Sequence, residues 1–297
     1  MITIIGSINL DLIARVERLP APGETVPGSG FSTAPGGKGA NQALAARRAG
    51  ADVRMIGAVG ADAFADQALA LLDEGGVDLS RVKKTSAPTG IAMILVGEDG
   101  ENVIAVVPGA NAEISAEDIE AAGLERGQFV LLQHEIPLPA IESVLRKARG
   151  VGAISLLNTA PFRPEAAGFL ELADYVIANE AEFDLYAGAL ALQGENREQK
   201  MRAFTARTGR TIVVTLGRDG VMAAGPDGFL RVPTLPITPV DTVGAGDTFC
   251  GYLGTGLSEG LPLEAALRHA AVAGALACLK PGAQPSIPVR ADVDHRL

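Results

Sequence analysis

The sequence predicts an α/β protein: a three-layer α/β/α sandwich with a mostly parallel central sheet, plus a small separate β-sheet. Three observations predict it. Short β-branched runs alternate with segments of helical apolar spacing along most of the 297 residues, the pattern of parallel strands joined by crossover helices. Two glycine-rich turns, around Gly37 and around Gly246, each lead straight into a helical pattern. Two regions, about 12–34 and 90–107, break the alternation with strand-like runs that have no helix between them.

Taken in order, Ile2-Thr3-Ile4-Ile5 reads as a buried strand. Beyond it, in Gly6-Ser7-Ile8-Asn9-Leu10-Asp11, Asn9 and Asp11 alternate onto one side of an extended segment, so two short polar side chains converge. As plain turn formers they would only redirect the chain. Pro35-Gly36-Gly37-Lys38-Gly39-Ala40-Asn41-Gln42 opens a helix, and its glycines mark a close backbone approach. Asn9, Asp11, Gly37, Lys38 and Asn41 together supply donors and acceptors, which suits a polyhydroxylated ligand; alternatively Lys38 is a solvated surface charge. Val53–Val59, Phe129–Gln133, Ala153–Leu157, Tyr175–Ala178 and Thr211–Leu216 read as buried strands, and Asp62–Leu72, Leu138–Arg149 and Glu198–Thr208 as helices. A small sheet from 12–34 and 90–107, with apolar residues on both faces, must be covered by something. No internal repeat or long linker divides the chain, so one domain is expected over 1–297.

Pro239-Val240-Asp241-Thr242-Val243-Gly244-Ala245-Gly246-Asp247-Thr248-Phe249 carries the most chemical information. Extended chain gives way at Gly244, Ala245 and Gly246 to a helix whose apolar positions are Phe249, Cys250, Leu253 and Leu257. Free N–H groups and the helix dipole at such a start attract anions, and Asp247 sets a carboxylate beside them. Two commoner glycine motifs are excluded. The P-loop needs Ser or Thr after Gly-Lys, but Gly37-Lys38 is followed by Gly39; the dinucleotide fingerprint needs a glycine where Phe249 stands. The plainer alternative is a strand-to-helix turn with Asp247 as a helix-start acid.

A net charge of −10 with no basic run argues against nucleic acid or an acidic membrane as partner. An anionic nucleotide must then be held by local devices: helix N-termini, Lys38 and a divalent metal, so ATP is expected as its magnesium complex. Cys250, Cys278 and three scattered histidines make no zinc pattern. The strand-like start and the lack of an apolar run of spanning length lead to the expectation of a cytoplasmic protein.

These segments together resemble the ribokinase-like (PfkB) carbohydrate kinases. The resemblance runs over essentially the whole chain, from Asn9-Leu10-Asp11 through Gly36-Gly37-Lys38-Gly39-Ala40-Asn41-Gln42, Asn179-Glu180-Ala181-Glu182 and Asp241–Asp247 to Lys280-Pro281-Gly282-Ala283-Gln284-Pro285-Ser286. It implies ATP-dependent phosphorylation of a sugar; Asn9-Leu10-Asp11, Asn41 and Glu135 point to the 5-hydroxyl of D-ribose. Under that implication Asp247 is the general base, Gly244, Ala245 and Gly246 form the anion hole, and Asn9, Asp11, Gly37, Lys38, Asn41 and Glu135 hold the sugar. Asn179 and Glu182 would tune magnesium through waters, although the pair also reads as a helix cap. Thr215, Gly217 and Gly220 resemble the nucleotide-contacting loop, although they also read as an ordinary hairpin. A potassium site is implied at Asp241, Val243, Ala277, Lys280, Gly282 and Ser286, and a homodimer through the small β-lid. Another sugar or a nucleoside as substrate, and a non-catalytic sensor of the same fold, are the alternatives. Three positions depart from the pattern: Ala271, with His269 nearby, stands where a histidine meets adenine; Asn158-Thr159-Ala160-Pro161 differs slightly; and His134 precedes Glu135, either lining the sugar pocket or lying on the far side of a strand end.

Overall fold

The computed structural model describes residues 1–297 as thirteen strands and ten α-helices, with three short 3-10 turns. The strands are β1 Ile2–Ile5, β2 Asn9–Val16, β3 Gly28–Gly36, β4 Val53–Gly60, β5 Asp78–Thr85, β6 Gly90–Val96, β7 Asn102–Val107, β8 Phe129–Leu132, β9 Ile154–Asn158, β10 Tyr175–Asn179, β11 Thr211–Thr215, β12 Val221–Gly225 and β13 Gly228–Val232. The helices are α1 Lys38–Arg48, α2 Ala63–Glu74, α3 Ala116–Glu120, α4 Leu138–Val151, α5 Glu180–Ala189, α6 Arg197–Thr208, α7 Ala245–Ser258, α8 Leu263–Ala277, α9 Ala283–Ser286 and α10 Arg290–Asp294.

Nine strands form the central sheet in the order β13-β12-β11-β10-β9-β8-β1-β4-β5. From β11 to β5 every pairing is parallel; β12 and β13 add an antiparallel hairpin at one edge. Side-chain alternation divides the strands between two cores. Ile2, Ile4 and Val213 join α1, α2, α7 and α8 on one face, while Ile5, Ile212 and Val214 join α4, α5 and α6 on the other. A parallel sheet buried on both faces explains the near-continuous apolar runs. The helices begin where the sequence places them: Asp62 accepts from the N–H groups of Phe64 and Ala65, capping α2. The polar edge strand β5 has no apolar run to announce it.

The second sheet has the order β3-β2-β6-β7. Its strands extend beyond the expected 12–34 segment at both ends, starting at Asn9 and finishing at Gly36. In the β2–β3 register Asn9 lies opposite Gly36, and Asp11 opposite Ala34. The two polar motifs, 27 residues apart in sequence, are therefore one pair at the base of the small sheet, where β1 leads into β2 and β3 into α1. At the far edge, β7 exposes Val103 on one face and Ile104 and Val106 on the other.

Candidate active site

Gly37 makes the entry into α1 possible. Its φ is +90°, and a Cβ there would lie 2.8 Å from the Asn9 nitrogen and 2.9 Å from the Ser7 carbonyl oxygen; only glycine meets both conditions without strain. The first turn of α1 rests on that crossing. Lys38 N–H donates to Glu135 Oε2 (3.0 Å), Gly39 N–H to Ser7 Oγ (3.3 Å) and Ala40 N–H to the Ser7 carbonyl (2.9 Å). Ser7 Oγ in turn donates to Glu135 Oε2 at 2.5 Å. Glu135 thus places its charge at a helix N-terminus, where it is favoured, and spends one oxygen doing so.

The other sugar-side candidates converge on the same place. Asn9 is buried, and its Oδ1 accepts from Asn111 Nδ2 at 2.7 Å, which leaves its NH₂ group uncommitted within the chain. Asn41 donates to Asp247 Oδ2 at 2.9 Å, while its own Oδ1 is buried with no partner, a ready acceptor for a hydroxyl. Asp11 has its carboxyl pushed up to about 6, first by burial and then by the charges of Glu135 and Asp247. Lys38 is raised above the ordinary lysine value, chiefly by Asp247, so it stays charged among three carboxylates.

Asp247 lies in the first turn of α7, whose N-cap Gly244 has φ +75° and would meet Ala283 Cβ at 2.8 Å if it carried a side chain. Ala245 N–H donates to the Thr242 carbonyl and Thr248 N–H to Gly244, while no acceptor within the chain takes the N–H of Gly246 or Asp247. These are free donors of the kind that hold anions. Two cavities meet here. One, of about 690 Å³, is lined by Thr215, Gly217, Gly220, Leu235, Phe249 and Ala271 among others; the smaller one is lined by Lys38, Asn179, Glu182 and Asp247. Both touch Thr215, Thr242 and Gly246, so a ligand-sized cleft adjoins the cavity that holds the Asp247 carboxylate.

Asn179 and Glu182 form a capping box on α5: Asn179 Oδ1 accepts from Glu182 N–H (2.8 Å) and Glu182 Oε2 from Asn179 N–H (3.1 Å). Glu182 Oε2 also accepts from Thr159 Oγ1 (3.2 Å), leaving Oε1 free on the cavity wall. Thr215, Gly217 and Gly220 do sit in a hairpin, the β11–β12 connection, and that hairpin lines the larger cleft. Asp241 fastens two loops together, its Oδ1 accepting from Val243 N–H (3.0 Å) and its Oδ2 from Gly282 N–H (2.8 Å).

Comparison with known proteins decides the family. The profile of the "pfkB family carbohydrate kinase" matches residues 1–290. The chain belongs to the pfkB family of carbohydrate kinases. A ribokinase of Lactococcus lactis is 36% identical over 299 residues, covering 100% of this chain and 96% of the relative. A deoxyribokinase of Salmonella typhi is 32% identical over 291 residues, covering 97% and 95%. The solved structure of Arabidopsis thaliana ribokinase complexed with ribose and ATP superposes with a TM-score of 0.87 at 32% identity, covering 99% of this chain and 97% of its own.

Within this pfkB chain, two departures resolve. His134 lies away from the sugar side: its Nδ1 is 3.1 Å from the Thr159 carbonyl and 3.1 Å from Tyr186 Oη, and burial pushes it down to about 4, so it is a neutral packing group. Ala271 lines the larger cleft, whereas His269 turns to the Ala265 carbonyl of its own helix. Ser7, Gln42, Asn111 and Gln133 belong to the site, and no chemistry is read for them in sequence. A signal existed for Gln42: it is the one polar residue between Asn41 and the run Ala43–Ala46, and a buried amide needs a partner.

Proposed function

We propose that the protein transfers the γ-phosphoryl group of ATP to the 5-hydroxyl of D-ribose, giving ribose 5-phosphate and ADP. The observation that carries this reading is the Asp247 carboxylate, set among sugar-side donors and acceptors, one residue from free N–H groups at the end of a nucleotide-sized cleft. In the transfer the hydroxyl oxygen bonds to the γ-phosphorus, Asp247 accepts the hydroxyl proton, and the bridging oxygen leaves on ADP. General-base help of this kind is worth about 10²–10⁴ in rate. The N–H groups of Gly246 and Asp247, with Gly244 and Ala245 shaping the turn, stabilise charge on the phosphoryl oxygens, and Lys38 adds a fixed positive charge. Asn9, Asp11, Asn41 and Glu135 orient the sugar.

Magnesium suits a site with few protein ligands, because it keeps waters and takes most other contacts from phosphates. No group of three or more His, Cys, Asp or Glu is present to hold a metal outright, while Asn179 and the free Glu182 Oε1 offer outer contacts. When bound, the ion neutralises charge on the nucleotide phosphates. Potassium would lie at the loop junction that Asp241 fastens, with Val243, Ala277, Lys280, Gly282 and Ser286 supplying oxygens, and would stiffen the anion hole without touching phosphate. The exposed Phe31, Met93, Val103, Ile104 and Val106 of the small sheet favour a homodimer in which a second lid covers them. No helix is long and apolar enough to cross a membrane, in keeping with a cytoplasmic enzyme.

Deoxyribose is the second reading, favoured by the comparable identity of the Salmonella typhi deoxyribokinase. ADP release from MgATP should be measured with D-ribose, 2-deoxyribose, D-fructose, adenosine and pseudouridine, in potassium and again in lithium. Strong preference for ribose with activation by potassium is expected. Preference for another acceptor overturns the sugar assignment, equal rates in both salts remove the potassium site, and binding without turnover restores the sensor reading.

A further inference from the structure

We propose that Gln42 is the positioning residue for the base: its side-chain amide, aimed by Asn158, holds the Asp247 carboxylate in the orientation from which it takes the sugar proton. The inference rests on the reading of Asp247 as the base. Gln42 and Gln133 are both fully buried. Gln42 Nε2 donates to Asp247 Oδ1 at 3.0 Å and to Asn158 Oδ1 at 3.3 Å, while its Oε1 accepts from Gln133 Nε2 at 2.7 Å. Asn158 spends its own NH₂ on the Ile177 carbonyl at 3.3 Å, so its Oδ1 faces Gln42 as an acceptor. Asp247 and Asn158 therefore specify the same orientation of the Gln42 amide, since flipping it would set oxygen against two acceptors, and Gln133 completes the set by donating to Gln42 Oε1.

The backbone is built to allow this contact. One turn beyond Asp247, a Cβ at Gly251 would lie 2.8 Å from the Gln42 carbonyl oxygen and 2.5 Å from Ala45 Cβ, so α7 and α1 touch with no side chain between them. That closeness brings two consecutive amides of α1 onto opposite oxygens of one carboxylate, Asn41 on Oδ2 and Gln42 on Oδ1. Asn41 has a second partner waiting in the sugar. Gln42 has none, since all its polar atoms are used within the protein. The nearest competitor for the carboxylate is Lys38, on which Asp247 is the strongest charge, yet no hydrogen bond joins the two. The paired amides hold the carboxylate off the lysine and leave each oxygen a free lone pair, one of which meets the hydroxyl. A hydrogen-bonded carboxylate is also a defined base, because donors to the ionised form stabilise it.

The test compares Gln42→Leu, Gln42→Glu and Asp247→Asn for kcat, sugar KM, melting temperature and the pH profile of kcat. Gln42→Leu should lower kcat by about 10–100-fold with sugar KM changed less than about 3-fold, the split expected when a transition-state interaction alone is lost. Gln42→Glu keeps the shape but replaces the NH₂ donor by a second carboxyl, so the acid limb of its kcat profile should move up by about one unit or more and the plateau above it should fall by about 10-fold; a role in packing alone would leave the plateau unchanged. Should Gln42→Leu fail to fold, Gln42→Glu decides. A folded Gln42→Leu with wild-type kcat, or a Gln42→Glu whose plateau stays in place, overturns the proposal. Asp247→Asn separates the two claims: full activity there removes the base itself, whereas its loss beside unaffected Gln42 variants removes only the positioning role.

Discussion

The two halves of the site are built in opposite ways. The half proposed to face phosphate is one continuous stretch, Asp241–Asp247, shaped by its backbone: a left-handed Gly244, an open helix start and a carboxylate in its first turn. The half proposed to face the sugar is assembled from Asn9 and Asp11 on β2, Gly37–Asn41 at the start of α1, Asn111 beyond β7 and Glu135 beyond β8. There the side chains act, and most hold one another before they hold any ligand. A site made from one stretch of backbone tolerates few substitutions and fails abruptly, while a side-chain assembly shares its load and fails by degrees.

The largest effect that would sharpen this contrast is at Asp247. Asp247→Asn should cut kcat by about 10²–10⁴ while sugar affinity by calorimetry stays nearly unchanged; intact turnover would take the base out of the backbone half altogether. Gly244→Ala comes next. A non-glycine residue at this φ costs about 1–2 kcal/mol, and crowding against Ala283 adds about 1–3 kcal/mol. Thermal melting should show a fall of several degrees with activity lost alongside, and a variant with wild-type melting and turnover would break the claim that the backbone half is intolerant.

On the sugar side, Asp11→Asn should be gentler, raising sugar KM by about 10-fold, the scale of one hydrogen bond to a charged group. The pH dependence has a definite sign. The Asp11 carboxyl is raised from 3.8 to about 6, so the folded state binds that proton more tightly than the unfolded chain. Ionising it costs stability as pH rises from near 4 through 6, and the cost is fully present at pH 8. Asp11→Asn should therefore melt higher than wild type at pH 8, by on the order of 1 kcal/mol or more, with the gain shrinking toward pH 4. Wild-type sugar KM should rise below pH 6 as the carboxylate is lost, and the variant should not follow; parallel profiles would mean Asp11 does not meet the sugar. The smallest effect is expected at Ala271→His, where a ring added to the nucleotide cleft should lower nucleotide KM by about 2–5-fold through stacking. No change in KM for ATP would show that the base lies elsewhere in the cleft.

The same contrast decides what could be read from sequence. The central sheet was legible because buried parallel strands are apolar runs of β-branched residues, and Asp241–Asp247 because a backbone-made site keeps its parts adjacent in the chain. The small sheet's position in sequence was legible too, but its register was not. Nothing in the one-dimensional pattern says that Asn9 pairs with Gly36, because pairing depends on how two distant strands meet. Asn111 and Gln133 escaped for the same reason: their partners, Asn9 and Gln42, lie 102 and 91 residues away. The Asn179–Glu182 pair shows a different limit. Its spacing suits a helix cap and a metal contact equally, and the capping box uses four of its polar atoms, two N–H groups and two side-chain oxygens, while leaving Glu182 Oε1 for other use.

The pairing of Asn9 with Gly36 also has a mechanical meaning. The chain passes between the small sheet and the rest of the fold four times, at Gly6–Ile8, at Gly37, at 86–89 and from Pro108 onward, and Asn9 stands among these crossings, paired with Gly36 and Gly90 and hydrogen-bonded to Asn111. All four lie at one end of the small sheet, so the end farthest from them is the one made by Val16, Gly28, Val96 and Asn102. The proposed sugar-binding groups Asn9 and Asp11 therefore lie at the moored end of the sheet, where a displacement of its free end reaches them only weakly.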